Sequence, residues 1–447
     1  MTRLRYFAPL IAAGAMLALT SGAQAQDPLE DGVMSPAADF PAPGTVINLP
    51  TDPNPMGAVG IPGAGSAPSQ INMNAGFNFL TGFDPDVVNP GGQTGGPRNY
   101  FNTEVNILAE NEDRTTFNNA GGVMNNCEIF VDGPDAFLGS ITTIDADSTL
   151  FVINGEVRAD SVIDGEAIIT GGGVGRPTIN GTVNISGGNI FGGSNFGPGG
   201  VVNATGNAII FNPVMVQAGG TINIQDNANL GNATIGGVVN FTGGTNGFSY
   251  TVQNGGVINI MDGGIFQNGL TVVESGGTIN VTGGSLGSRT EVQSGGVVNI
   301  SGGIVNTSNP MFSGLELADG ATVNFTGTNF ELNGTPIAVT PGMPSVVTDR
   351  TMVLTGTLCD GETFTFDLSD NSVDPNNFLN VFPAGSTVTV NIMLLGDVNL
   401  DDDVNFLDIP AFIGVITGGG FQIQADINKD GAVDFLDIPL FIDLLTS

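Results

Sequence analysis

Across the middle of the chain a short phrase of alternating apolar and polar residues keeps returning between pairs of glycines. In Gly276-Gly277-Thr278-Ile279-Asn280-Val281-Thr282-Gly283-Gly284, Ile279 and Val281 flank a polar Asn280, and Gly295 to Gly303 repeats the pattern around Asn299. Successive side chains on a strand point to opposite faces, so the flanking pair shares one face and the Asn takes the other. That Asn recurs at Asn184, Asn203, Asn223, Asn240, Asn259, Asn280, Asn299 and Asn324. A period near twenty residues is the signature of a solenoid.

The register extends beyond the Asn. Seven residues before it stands an apolar residue in most copies, namely Val216, Val252, Val273, Val292 and Leu317, whereas Ala233 and Phe196 fit less well. Each coil therefore carries at least two short strands. Helices do not tolerate glycine pairs every ten residues or so, but stacked strands use them as corners. The expectation is a mainly β protein built on a parallel β-helix over residues 46–337, with coils of about 19–21 residues. Val and Ile should stack into an internal column, and the Asn side chains into an outward ladder. Earlier copies around Asn48, Asn72 and Asn106 are looser and separated by Gly/Pro-rich insertions.

Residues 338–395 lose the period but stay rich in β-formers, as in Thr351 to Leu358 and Ser386 to Ile392. An open coil edge invites pairing with another molecule, so this segment reads as a β-rich cap. At the other end, residues 26–45 form a Pro- and acid-rich linker. Before them, Met1 to Ala25 has basic Arg3 and Arg5, an apolar run and a small-x-small Ala23-Gln24-Ala25. That is the pattern of a signal peptide cleaved before Gln26, and it predicts export to the extracellular space or cell surface. No later stretch is long and apolar enough to span a bilayer as a helix.

The Gly-Gly punctuated repeat resembles those of bacterial autotransporter passengers and other secreted parallel β-helices. The likeness is good over residues 170–330 and weak over 46–170. No alternating-strand membrane barrel follows the repeats, and the Asp-containing nonapeptide of calcium-binding β-rolls is missing, so no metal is assigned to the rod.

Composition narrows the chemistry. The chain has 447 residues, 69 of them Gly, with a formal net charge of −34 and no His or Trp. Without His there is no imidazole base, no His-ligated zinc and no Ser-His-Asp arrangement. The acidic field repels nucleic acid and anionic lipid and gathers divalent cations. Carboxylate pairs such as Asp84/Asp86 and Asp145/Asp147 resemble the two acids of a glycosidase only in number, and read as turns or solvated faces. The two cysteines, Cys127 and Cys359, would lie many coils apart, too far for a disulfide, and are expected to be buried free thiols.

The last fifty residues say one acidic phrase twice, 29 residues apart. Each copy has the spacing of a twelve-residue calcium loop, with oxygens at positions 1, 3, 5, 7, 9 and 12. The first set is Asp397, Asn399, Asp401, Asp403 (through its carbonyl), Asn405 and Asp408. The second is Asp426, Asn428, Asp430, Ala432 (through its carbonyl), Asp434 and Asp437. At position 6 the chain turns sharply. Gly431 meets that freely, whereas Asp402 in the first loop enters the left-handed region at a cost and predicts weaker binding. Pro410 and Pro439 open short helices, each with Phe-Ile inside.

This segment, residues 396–447, resembles a dockerin: two loop-helix units, Asp at position 12 and no helix before the first loop. The resemblance implies two Ca2+ ions, EF-hand-type folding and docking on a cohesin-like receptor or other surface protein. In well-studied dockerins, positions 10 and 11 carry a polar recognition pair. Here they are Phe406-Leu407 and Phe435-Leu436. Two readings stay open for these pairs: an apolar contact between the units, or a docking surface of different chemistry.

Together these features predict an exported, noncatalytic β-helical rod, structural or adhesive, attached or assembled through a calcium-dependent module. The alternatives are a polysaccharide-degrading enzyme (lyase or glycoside hydrolase) or a cell-surface adhesin bearing the same module, with extracellular polysaccharide as a second candidate partner.

Overall fold

The structure is a computed structural model. It describes most of residues 123–446 and, before them, the strands Val46–Leu49, Gln70–Met73, Asn78–Leu80, Tyr100–Phe101, Glu104–Leu108 and Thr115–Asn118. Residues 306–313, 370–380, 419–423 and 429–432, with a few shorter gaps, lie outside this description, as do residues 1–45, where the signal peptide and linker are expected.

The chain winds into a parallel β-solenoid whose coils present three faces. The first carries the Asn strands, such as Thr221–Ile224, Val238–Phe241 and Val257–Ile260, paired in parallel with every Asn opposite the next. A second runs through shorter strands such as Ile209–Ile210 and Asn229–Leu230. The third is a separate twelve-stranded sheet that ends on Gly314–Leu317. The two strands inferred for each coil are thus joined by a third, often only two residues long. The loose copies at Asn48, Asn72 and Asn106 lie in the same register.

Alternation does the sorting. On the Asn face, Val239, Ile258, Ile279 and Val298 form one inward column and Phe241, Ile260, Val281 and Ile300 another, all fully or almost fully buried. Burying each such side chain is worth about 1.5–3 kcal/mol, and every coil repeats the gain. The third face supplies Val216, Ile235, Val252, Val273, Val292 and Leu317 in continuous register. Phe196 lies in this column and is fully buried. Ala233 does not: Ile235 takes the place, because the corner before Asn240 is two residues shorter.

The glycine pairs divide their labour. Gly276 and Gly295 adopt left-handed backbone, with φ of +79° and +82°, a region that other residues enter at a cost. Their followers need space. A Cβ on Gly277 would lie 2.5 Å from the carbonyl oxygen of Val252, and one on Gly296 2.8 Å from that of Val273.

Residues 338–395 add further strands at the solenoid's C-terminal edge. Thr387–Ile392 adds a last parallel strand against Thr322–Leu332, and its outer edge pairs antiparallel with Ser345–Val346. An antiparallel pair, Val353–Leu358 and Thr363–Asp367, continues from the same long strand. Phe325, Phe330, Phe364, Phe366 and Phe382 pack together beneath it. Both cysteines are free and buried. Burial, reinforced by the neighbouring Asp360, pushes the Cys359 thiol up to about 12. No helix among the described residues is long and apolar enough to cross a membrane.

Candidate functional site

The C-terminal segment has its own small core. Helix α1 (Ile409–Gly418) and helix α2 (Asp437–Thr446) each bring one phenylalanine inward. Phe412 and Phe441 stack with ring centroids 4.0 Å apart, surrounded by Val398, Ala425 and Ile427. The Phe-Ile pairs therefore split: Phe faces in, while Ile413 and Ile442 face solvent.

Each helix is preceded by a loop that the same contacts hold. Asp408 Oδ1 accepts the Asn399 N–H at 2.9 Å and its Oδ2 accepts the Asn405 N–H at 2.8 Å. One repeat later, Asp437 Oδ1 accepts the Asn428 and Ile427 N–H groups at 3.0 and 2.8 Å, and its Oδ2 accepts the Asp434 N–H at 2.9 Å. Asn405 and Asp434 cap the helical turns by accepting the N–H of Leu407 and Leu436. A carboxylate three residues after a side-chain cap is the reciprocal arrangement of a capping box. In the first loop both halves of that box are present.

The remaining loop residues are distributed as follows. Asp397 and Asp426, at position 1, are buried, as are Asp408 and Asp437 at position 12. Asp397 Oδ1 and Asn399 Oδ1 both accept the Asp401 N–H, and Asp401 Oδ1 accepts that of Asp403. Asn399, Asp401 and Asp403 are exposed. Asp402, Asp430, Gly431 and Ala432 lie outside the described residues. Among the described residues, no three His, Cys, Asp or Glu side chains converge closely enough to hold a metal ion.

Four buried carboxylates in so small a module pose an electrostatic problem, because a buried charge is costly unless paired. Backbone N–H groups offset part of that cost at Asp408 and Asp437. None of the described residues of the module is basic. Oxygen-only donors of this kind suit hard divalent cations.

Phe406, Leu407, Phe435 and Leu436 are not the contact between the two units. They are among the most exposed large apolar residues described, Phe406 at 68% and Phe435 at 77%. Phe412 and Phe441 make the inter-unit contact instead.

The rod's Asn column is a continuous hydrogen-bonded chain. Asn203 Nδ2 donates to Asn184 Oδ1 at 2.8 Å, and the same step, at 2.7–2.8 Å, carries the chain coil by coil to Asn324. All amides point the same way. At one end Asn184 donates to Glu166 Oε1 at 3.1 Å; at the other, Asn324 Oδ1 accepts the Thr389 hydroxyl at 2.5 Å. A carboxylate thus meets the donor end of the aligned dipoles, the sense that Coulomb's law favours.

Toward the N-terminus, the same column changes character. Phe130, Phe151 and Ile168 occupy the register position between Asn106 and Asn184. The two rings stack 4.6 Å apart and within 4° of parallel. The recurring Asn gives no sign of them, because neither position carries that residue.

The rod's acid pairs and cations are placed singly. Asp145 closes a turn by accepting the Asp147 N–H, and it accepts the Asn125 amide as well. Asp84 and Asp86 lie outside the described residues. Arg289 makes a two-pronged pair with Glu316 at 2.8 and 3.0 Å and also meets Glu291 at 2.7 Å. Arg176 pairs with Asp160 at 2.9 Å. No protein-family model matches the chain, and no curated protein is found to be similar to it.

Proposed function

We propose that this chain is an exported, noncatalytic β-solenoid rod, fixed or assembled outside the cytoplasm by a dockerin-like C-terminal module that two Ca2+ ions order. The observation that supports this reading best is the duplication of contacts around Asp408 and Asp437. The same backbone groups meet the same carboxylate oxygens 29 residues apart, and the two units meet through equivalent phenylalanines. In this reading Asp397, Asn399, Asp401, Asp403, Asn405 and Asp408 hold one ion. Asp426, Asn428, Asp430, Ala432, Asp434 and Asp437 hold the other. Calcium supplies the positive charge that the buried carboxylates call for, and so couples ion binding to folding.

Attachment falls to the exposed pairs Phe406-Leu407 and Phe435-Leu436. Apolar side chains this exposed on a folded module mark a contact surface. The receptor is a cohesin-like or other surface protein with an apolar site, and basic groups at its rim would complement Asp401, Asp403 and Asp443.

The test compares the full chain with a chain ending at Ile392 for retention on the envelope of the exporting cell, with calcium and with chelator. Retention of the full chain only, and only with calcium, is expected. Equal retention of both chains would move adhesion to the rod. Release of oligosaccharides from a panel of polysaccharides would replace the noncatalytic reading with an enzymatic one.

A further inference from the structure

The Asn face between Thr182 and Thr326 is chemically unlike the rest of this acidic chain. Each strand there turns three residues outward: the Asn and the residues two before and two after it. The column before the Asn mixes threonine (Thr182, Thr221, Thr278) with valine (Val201, Val238, Val257). The column after it is mostly hydroxylic, with Thr205, Thr242, Thr282 and Ser301 half-buried or exposed. None of the three columns holds a charged residue over these coils, in a chain of net charge −34. The boundary is sharp. Immediately N-terminal, the same columns carry Glu104, Glu128, Asp132 and Glu166.

The ladder leaves hydrogen-bonding capacity to spare. A primary amide has two N–H donors and two carbonyl lone pairs, and the ladder uses one of each. Each interior Asn therefore offers one further donor and one further acceptor, repeating every ~4.8 Å along the axis. The rod holds these groups in place, so little conformational entropy is lost when they engage a partner. The uncharged strip is about 35 Å long, at ~4.8 Å per coil, with columns about 7 Å apart.

These features select a partner. An anionic polymer is repelled by the surrounding field, and a cationic one gains nothing from a strip without carboxylates. A second copy of the chain would bring the same net charge with it. A neutral polymer rich in hydroxyls escapes both penalties, because hydroxyls need the paired donors and acceptors that amides and threonines provide. The valine methyls beside the amides suit the C–H edges of such a polymer. We propose that the face from Thr182 to Thr326 binds a neutral polysaccharide, laid along the solenoid axis.

The test uses the full chain with a chelator present, so that the state of the C-terminal module does not enter and the two readings stand or fall separately. Electrophoresis through gels containing hydroxyethyl cellulose, galactomannan or mixed-linkage β-glucan is compared with gels containing polygalacturonate. Retardation by at least one neutral glycan, little changed by 0.5 M salt and absent with polygalacturonate, is expected. The double variant Thr242→Glu/Thr282→Glu should weaken it at least tenfold without changing the melting temperature. Gln225→Lys/Met261→Lys, of opposite charge, should do the same, and either pair suffices if the other fails to fold. Thr251→Glu, on the twelve-stranded sheet, should leave binding intact. Failure of all three neutral glycans to bind, retardation by polygalacturonate alone, or full binding by a folded double variant would overturn the proposal.

Discussion

The solenoid and the C-terminal module solve the same problem, how to keep a polar backbone buried and ordered, by opposite means. The rod does it by repetition: each coil hands its hydrogen bonds and its apolar columns to the next. Its polar side chains satisfy one another, amide to amide. The module has two units in place of many coils and a core centred on one pair of phenylalanines. Its buried charged groups are carboxylates, which cannot satisfy one another. Neutral amides make a ladder that needs no outside help, whereas like-charged carboxylates need a counter-charge from somewhere. The rod should therefore be indifferent to ions and tolerant of single losses, and the module sensitive to both.

The largest contrast should come from Asp437→Ala. It removes the acceptor of three backbone N–H groups, at a cost of roughly 3 kcal/mol or more. That is comparable to the whole stability of so small a unit. Limited proteolysis in calcium should show residues 396–447 digested while the rod stays intact, and Asp408→Ala should behave in the same way. A module that resists protease after either change would break the contrast.

Next in size is Ile258→Ala, in the middle of the rod. Ile258 is fully buried, and the loss of its side chain should cost about 2–5 kcal/mol. Thermal unfolding of the chain ending at Ile392 measures it. Asn240→Ala should cost less, about 1–2 kcal/mol, because it removes two ladder hydrogen bonds at half-exposed positions. If Asn240→Ala proves as damaging as Ile258→Ala, the ladder carries more of the rod than hydrogen-bond energetics allows.

The remaining effect concerns the cap. The Cys359 thiol is pushed up to about 12 by burial and by Asp360, from an ordinary 9.0. The unfolded thiol ionises first as pH rises, so its contribution to stability is present below pH 9 and declines between 9 and about 12. At pH 8 neither cysteine should react with a thiol reagent in the folded chain, and both should after denaturation. Fast labelling of the native protein would show that the cap opens.

Much of the rod is legible in the sequence, because its period and its structure are the same fact. Asn280 lies over Asn299 as the alternation requires, and the valines seven residues earlier form one column. What the pattern concealed has physical reasons. The third strand of each coil is as short as Ile209–Ile210, too brief to show alternation. Ala233 keeps the sequence spacing while Ile235 keeps the structural one, since a shortened corner shifts register without disturbing the strands. Phe130 and Phe151 stand in the Asn column because an outward strand position accepts any side chain that stacks on its neighbours.

The C-terminal module was legible as a duplicated set of oxygens on helix-capping loops. Its packing was not. Phe406-Leu407 and Phe412-Ile413 are both apolar pairs near the start of a helix, and composition does not say which one turns inward. Only the helical phase places Phe412 against Phe441 and leaves Phe406 in solvent.

The contrast rests on the ion. Calorimetric titration of the chelator-treated full chain with calcium, followed by limited proteolysis of the same samples, tests it most directly. Two bound ions per chain are expected, the weaker at the loop containing Asp402, with protection of residues 396–447 that appears with saturation while the rod's digestion pattern stays unchanged. Absence of binding heat, with residues 396–447 equally resistant in calcium and in chelator, would contradict it.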